Sequence, residues 1–496
     1  MLSVTSSAPF PAPPAAFNMA AHVFAQSDRL HDKPALILAG RDRPNATLSF
    51  RELAHQVRSA ASGLLEQATP GDHVLLQLGN STHFPIFFLG AIAAGLVPVV
   101  VSAQLTAPEL AQVRQTVTPK LTIGQAEADR MSTTFGKRAA MNFALGDPDR
   151  PAYIVFTSGT SGTPRAVVHA HRAIWARQMM WQDWYGLRED DRVMHAGAFN
   201  WTYTLGTGLM DPWSIGATAL IPTPQTDLSD FPAILAQQDV TIFAAAPGVY
   251  RRILRADFPR LPQLRHGLSA GEKLADDYRA DWEAKTGTTI HEAFGMSECS
   301  TFISGSPGRP APPGTSGFPQ RGRQIAIIAD GSPVQRGTPG TIAVHRTDPG
   351  LMLGYLGAPD ETAAKYQGDW FLTGDIGIMD DAGAITYAGR ADDMMNAGGY
   401  RVSPIEVEAA LVAYPPISEA AACAVQVRTG TFIIAAFYVA TDVIDEEALR
   451  SHMHKRLAGY KQPRLYIGKD MLPRGANNKL LRRVLRTQWE AENGQT

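Results

Sequence analysis

Apolar positions in the first 300 residues switch repeatedly between helical and strand-like spacing. The stretch Leu48-Ser49-Phe50-Arg51-Glu52-Leu53 opens a helix expected to run to about Glu66. Gly71-Asp72 then turns into a strand over 73–78, and a helix near 82–95 leads to a strand over 97–101. Such alternation predicts parallel sheets covered by helices. After the loop 307–314 the pattern becomes strand-rich, with strands expected over 324–329 and 341–344, which predicts a smaller β-subdomain. A boundary is expected at Gly389-Arg390-Ala391-Asp392-Asp393. Beyond it, Ser403-Pro404-Ile405-Glu406 has the form of a capping box with proline at the first helical position. That helix should reach Tyr414, where Pro415-Pro416 stop it, followed by strands near 420–427 and 432–439 and a helix near 445–457. The expected fold is α/β: a large multi-subdomain N-terminal domain of two helix-covered sheets plus a small β-subdomain, and a small α+β C-terminal domain. No internal repeat is visible.

Composition narrows the class. The chain has 496 residues, too many for one ordinary core. At 45% hydrophobic and 19% charged residues it reads as soluble and globular, and a net charge of −2 offers no global field for nucleic acid. The charge is uneven: from Arg450 to Arg486 eleven Lys/Arg face one acid, Asp470. This is either a solvated basic face or a surface that meets phosphates. Two cysteines, Cys299 and Cys423, make no disulfide framework, so a reducing cytoplasm is expected. Residues 1–22 are rich in Ser, Pro and Ala without a basic n-region or an apolar h-region, and are expected to be a disordered leader. The most apolar run, 87–101, is broken by Gly90, Gly95 and Pro98 and is too short to span a bilayer.

The most informative stretch is Thr157-Ser158-Gly159-Thr160-Ser161-Gly162-Thr163-Pro164-Arg165. It follows a strand-like run, 152–156, and combines glycines, hydroxyls and one guanidinium. Glycines let backbone approach a phosphate, and hydroxyls and amides then donate to its oxygens. No Gly-Lys-Ser/Thr follows at Walker A spacing. The stretch resembles the phosphate loop of the adenylate-forming superfamily, with Arg165 in place of the usual lysine, a planar fork instead of a point charge.

Further ordered motifs extend the resemblance, to acyl-CoA synthetases of that superfamily, over roughly 30–486. It implies a carboxylate that attacks ATP to give an acyl-adenylate and pyrophosphate, then a thiol, usually that of coenzyme A, that displaces AMP. It also implies domains 23–389 and 394–496 about a hinge, 390–393, with Asp392 as pivot. Within His291-Glu292-Ala293-Phe294-Gly295-Met296-Ser297-Glu298, the resemblance places Phe294 on adenine, Glu292 at its amino group and Ser297 at the α-phosphate. Glu298 would hold Mg²⁺, a hard cation that takes oxygen ligands. Asp375 of Thr373-Gly374-Asp375 would take the ribose hydroxyls, Arg390 the ribose and phosphate, and Gly271 would lie at the nucleotide. Leu472-Pro473-Arg474-Gly475-Ala476-Asn477-Asn478-Lys479 resembles the family segment that ends in the catalytic lysine, Lys479 here, with Asn478 where glycine is usual. For the second step, Gly398-Gly399 would border a pantetheine tunnel and Tyr460-Lys461 the CoA nucleotide. Gly314, Gly317 and Pro319 match an element on the tunnel side.

The acyl pocket is expected around Trp201, Tyr203, Ala246 and Gly295. Acetyl-CoA synthetases carry a Trp where Gly295 stands, so this glycine suggests room for a larger acid. Amino-acid-activating relatives carry an Asp where Asn200 stands, so the anchor for an α-amine is missing. The expected substrate is an uncharged aromatic or medium-chain monocarboxylate, and the enzyme a monomer or homodimer. Two other readings stay open: an adenylating enzyme that loads a separate carrier protein, since no carrier domain precedes Thr496, and a non-catalytic nucleotide-binding protein.

Overall fold

The computed structural model describes residues 1–5, 7–41, 46–135, 138–157, 165–223, 225–391, 393–397, 400–428, 431–475 and 480–493. Among these, the largest sheet has nine strands. Its parallel centre runs Ile290–Met296, His266–Ala270, Ile242–Ala245, Arg192–His195, Thr218–Pro222 and Pro34–Ala39. Antiparallel strands Ser300–Ser304 and Phe318–Pro319 close one edge and Ala46–Ser49 the other. A second sheet of six strands has a parallel half, Leu121–Ile123, His73–Leu76, Val97–Val100 and Pro151–Thr157. Arg165–Ala170 and Gly354–Tyr355 continue it antiparallel. The alternation read from the sequence thus gives the two helix-covered sheets it predicts.

The helix Phe50–Leu65 illustrates why. Ser49 accepts from Glu52 N, and the Glu52 carboxylate accepts from Ser49 N at 2.8 Å, a reciprocal cap. Phe50, Leu53, Val57 and Leu64 recur at helical spacing and are buried. They pack on His83–Ala93, a helix apolar on nearly every side. Gly90 makes that contact close: a Cβ there would lie 3.1 Å from Ala60 Cβ and from Val57 O.

The β-subdomain is an antiparallel sheet centred on Ile325–Ala329, Gly340–His345 and Trp370–Met379, with Ile385–Arg390 paired to the last. After residue 393, the sheet Ile417–Arg428, Thr431–Ala440 and Leu465–Gly468 carries Pro404–Val412 and Glu446–Arg456 on one face and Arg482–Asn493 on the other. This is the expected α+β unit.

Two expectations fail. Residues 1–22 are not a disordered leader: as far as they are described, they strap onto the large domain. Ser3 N donates to Val334 O at 2.8 Å, Thr5 N to Ile325 O at 2.9 Å, and Ile327 N to Ser3 O at 2.9 Å, adding a strand edge to the β-subdomain. Trp175 Nε1 donates to Pro11 O at 2.8 Å, and Phe10 and Phe17 both pack edge-on against Trp175. Asn18 caps the helix Met19–Val23. The prolines, at 9, 11, 13 and 14, come after the paired residues 2–5 and so remove no N–H from that edge. Nor does Ser403 form a capping box. It stands at the N-cap, but its hydroxyl donates to Ala388 O across the domain boundary, and Glu406 pairs with Lys461 at 2.5 Å.

Removing residues 1–16 should therefore lower the apparent Tm by at least about 4 °C, since strand pairing and the Trp175 contacts go together. Scanning fluorimetry of the truncated chain checks this; an unchanged Tm would mean the strap adds no stability.

Candidate active site

The carboxyl ends of the parallel strands face one crevice, the usual place for a ligand in such sheets. The ends of Arg192–His195, Ile242–Ala245, His266–Ala270 and Ile290–Met296 deliver the segment after His195, Ala246, Gly271 and the 294–298 turn to it. The second sheet contributes Thr157 and Arg165, paired across their strands, and Tyr355 beside them.

Glu298 is tied to the second sheet. Tyr355 OH donates to its Oε1 at 2.7 Å, and Met352 N donates to its backbone carbonyl at 2.7 Å. His169, two strand repeats beyond Arg165, donates from Nε2 to Ser297 O at 2.8 Å. A carbonyl only accepts, so the neutral ring carries its proton on Nε2. Arg165 sits 5.2 Å from the centroid of the Tyr355 ring and pairs with Glu361 at 2.7 Å. Burial, then the neighbouring Glu298 carboxylate, raises the Tyr355 hydroxyl, which stays a donor.

Asp375 and Arg390 face each other on paired strands of the β-subdomain, 3.7 Å apart at the closest charged atoms. Tyr387 OH donates to Asp375 Oδ1 at 3.3 Å, and the Tyr387 ring lies 5.3 Å from Phe294, which also meets Phe302 edge-on at 5.4 Å. One carboxylate, one guanidinium and one supported aromatic ring are thus linked through Tyr387. Lys365, not singled out in the sequence, belongs with them. Burial lowers its ammonium, which stands in the field of Glu298, Arg390, Arg165 and Asp375.

Several expected residues take other parts. The Glu292 carboxylate accepts from Leu274 N at 2.7 Å and pairs with Arg279, so it is already engaged within its own subdomain. Burial raises it, against the pull of Arg279. Gly295 does not mark empty room. A Cβ there would lie 2.2 Å from Ser300 O and 2.5 Å from Thr301 Cα, inside a bulge where the two strands meet. This glycine reports strand packing, and the argument from acetyl-CoA synthetases to a deeper pocket fails on it. At Gly271, φ +100°, a Cβ would lie 3.1 Å from the Trp201 ring.

Trp201 meets Tyr203 edge-on at 5.5 Å, and Tyr203 OH donates to Leu268 O at 3.2 Å. Both belong to an apolar cluster with Ala244, Ala270 and Ala293, and Ala246 begins the next helix. Tyr460 is exposed, and its ring lies 5.7 Å from the Lys461 ammonium. Ser158, Gly159, Thr160, Ser161, Gly162, Asp392, Gly398, Gly399 and Lys479 lie outside the described residues. The basic stretch 450–486 is partly answered within its own domain: Arg450 pairs with Glu446, Lys461 with Glu406, Arg474 with Glu419, and Arg482 with Glu408.

A half-buried aromatic pair, Phe294 with Tyr387, a carboxylate beside a guanidinium, Asp375 with Arg390, and the buried Glu298 are the polar and aromatic groups that these elements bring here. The chain belongs to the AMP-binding enzyme family, whose model matches residues 23–356, with the AMP-binding enzyme C-terminal domain at 406–479. It is 30% identical to a benzoate–CoA ligase of Thauera aromatica, over 88% of this chain and 90% of that one. It is 27% identical to the mitochondrial acyl-coenzyme A synthetase ACSM2A of Homo sapiens, over 96% and 92% of the two chains. The anthranilate CoA ligase AuaEII, solved with anthranoyl-AMP, superposes with a TM-score of 0.86 at 25% identity, covering 96% of this chain and 98% of that one. Among the described residues no helix is long and apolar enough to cross a membrane.

Buried histidines give the fold a pH limit. Burial holds His22, His169 and His291 down to about 4 and His171, His195 and His266 down to about 3. Unfolded, each titrates near about 6.5. Between these values the unfolded chain binds protons that the native chain does not. Their contribution is therefore complete above about 6.5 and declines as the pH falls, by roughly 1.4 kcal/mol per histidine per pH unit. The apparent Tm should drop steeply between pH 7.5 and 5; a flat profile over that range would contradict neutral burial.

Proposed function

We propose that this protein is an AMP-forming acid–thiol ligase that joins an uncharged monocarboxylate, aromatic or medium-chain, to coenzyme A at the expense of ATP. The convergence of Glu298, Asp375, Arg390 and Phe294 on one crevice carries this reading, together with membership of the AMP-binding enzyme family. The similarity to benzoate–CoA and anthranilate CoA ligases supports coenzyme A as acceptor and an aromatic acid as substrate.

In the first step a carboxylate oxygen attacks the α-phosphorus of ATP, and the bond to the β-phosphate oxygen breaks, releasing pyrophosphate. Phe294, backed by Tyr387, offers a ring face to adenine, and Asp375 accepts from the ribose hydroxyls. Arg165, Lys365 and Arg390 place positive charge where phosphate charge is carried, and Lys479 is assigned to the oxygen between the two reactants. The residues fit Mg²⁺ in the usual manner for a nucleotide: one carboxylate, Glu298, whose Tyr355 bond fixes its orientation, with phosphate oxygens and water to complete the shell. The ion would neutralise phosphate charge. In the second step the CoA sulfur attacks the acyl carbon, the bond to the AMP oxygen breaks, and the thiol proton leaves. Trp201, Tyr203, Ala244, Ala270 and Ala293 form an apolar wall suited to an aryl or alkyl group, and Asn200 supplies no charge for an amine.

Pyrophosphate release measured over a carboxylate panel tests the reading. Benzoate- and hexanoate-sized acids should give CoA-dependent AMP and pyrophosphate, exceeding by at least about tenfold in kcat/KM both acetate, which buries little apolar surface, and amino acids, whose ammonium finds no counter-charge. Absence of carboxylate-dependent pyrophosphate release would defeat it. Lys479→Ala should abolish adenylate formation but leave thioester formation from supplied acyl-adenylate; equal loss of both would remove the role given to Lys479.

A further inference from the structure

One ion-pair chain crosses from the large domain to the small one. Arg251 lies on the helix Pro247–Ile253, which starts directly after Ala246 at the crevice. Its guanidinium pairs with Glu419 on the strand Ile417–Arg428 of the small domain. The other oxygen of Glu419 accepts from Arg474 Nη2 at 2.8 Å. All three side chains are largely shielded, with 21%, 25% and 24% exposure, so solvent weakens the pairing less than at an open surface. Burial pushes the Glu419 carboxyl up, but Arg474 and Arg251 together outweigh it and leave the group below the usual range, ionised at neutral pH.

Arg474 is at the start of the segment that ends in Lys479. The ends of that segment are tied: Arg474 and Leu480 form a β-bridge, and Leu481 N donates to Pro473 O at 2.9 Å. Just beyond, Arg482 makes two bonds of 2.7 Å to Glu408 and one contact of 3.5 Å to Asp393. Its charge is felt by the Tyr387 hydroxyl, the group that backs Phe294 and bonds Asp375. In this arrangement Arg474, joined to Arg251 through Glu419, and Arg482, whose charge reaches Tyr387, both bear on the large domain, while Lys461 is tied to Glu406 inside the small domain.

We infer that Arg251 and Glu419 are a positioning pair for adenylate formation: they hold the small domain, through Arg474, in the arrangement described above, and part when coenzyme A is used. This rests on the function proposed above. The pair touches neither substrate. Its effect is on the population of one arrangement, so it favours the first half-reaction at the expense of the second.

The test uses full-length protein carrying Arg251→Ala or, as the conservative variant, Arg251→Lys. Three quantities are read: carboxylate-dependent ATP–pyrophosphate exchange, thioester formation from supplied benzoyl-adenylate, and amide hydrogen exchange over 472–475 and 480–485. Arg251→Ala should slow pyrophosphate exchange about fivefold or more, leave thioester formation equal or faster, and speed amide exchange in those two stretches. Arg251→Lys should restore most of the first activity, because the charge remains. Retained thioester formation also certifies that the variant folds. Equal loss of both half-reactions, or wild-type values for both, would overturn the inference. Should wild-type protein exchange no pyrophosphate with any acid, the proposed function fails, and amide exchange alone decides the pair: faster in Arg251→Ala supports it, unchanged rejects it.

Discussion

Glu298 lies in the turn between two strands of the larger sheet, Ile290–Met296 and Ser300–Ser304, yet what holds it comes from the smaller one. Tyr355 binds its carboxylate and His169 binds the adjoining Ser297 carbonyl, at 2.7 and 2.8 Å. Both partners sit on the antiparallel edge that extends the second sheet past Thr157. The two bonds fix one sheet's crevice against the other's phosphate-loop strands. A bond to a buried carboxylate contributes about 1.5–3 kcal/mol, and leaving the charge unpaired would cost more. Arg165 packs on the same tyrosine, so the loop's closing cation, the tyrosine and the glutamate move together or not at all. Asp375 and Arg390 of the β-subdomain, proposed for the nucleotide, then need only to meet a site already set.

Much of this was legible in the chain because it is local. Ser49 and Glu52 define a helix start by themselves, and Phe294 to Glu298 is a turn whose spacing carries its chemistry. What was not legible depends on distant partners. Nothing near Ser403 announces that Ala388 will take its hydroxyl. The first residues look unstructured until Ile325 and Val334 offer them a strand edge. Gly295 looks like vacant space along the chain, but in three dimensions the space belongs to the Ser300 carbonyl. Glu292 likewise has the right place in its motif and a different neighbour, Arg279. Tyr355, Tyr387, His169 and Lys365 escaped notice because single aromatics and cations at irregular spacing give no periodic signal; only packing brings them to the site.

The apolar wall and the domain boundary complete the same division of labour. Trp201 and Tyr203, on the bend and helical turn after the strand Arg192–His195, are packed into the large domain's apolar core, where a fit to the proposed acid can stay constant. The residues proposed for one step only, Lys479 for adenylation and Gly398-Gly399 for thioester formation, follow residue 393 in the chain. An ion pair such as Arg251 with Glu419 suits that boundary: strong enough to bias a pose, and exposed enough to be re-solvated when the pose changes.

The central claim is that adenine, ribose, phosphate and an uncharged acyl group occupy one continuous site. The most direct measurement is calorimetric titration with a benzoyl-sulfamoyl adenosine, a stable stand-in for the acyl-adenylate. Linking both halves in one molecule should give saturable one-to-one binding at least about a hundredfold tighter than AMP or benzoate alone. Binding no tighter than that of AMP would mean that the aromatic wall and the nucleotide groups do not share a site, and would contradict the account.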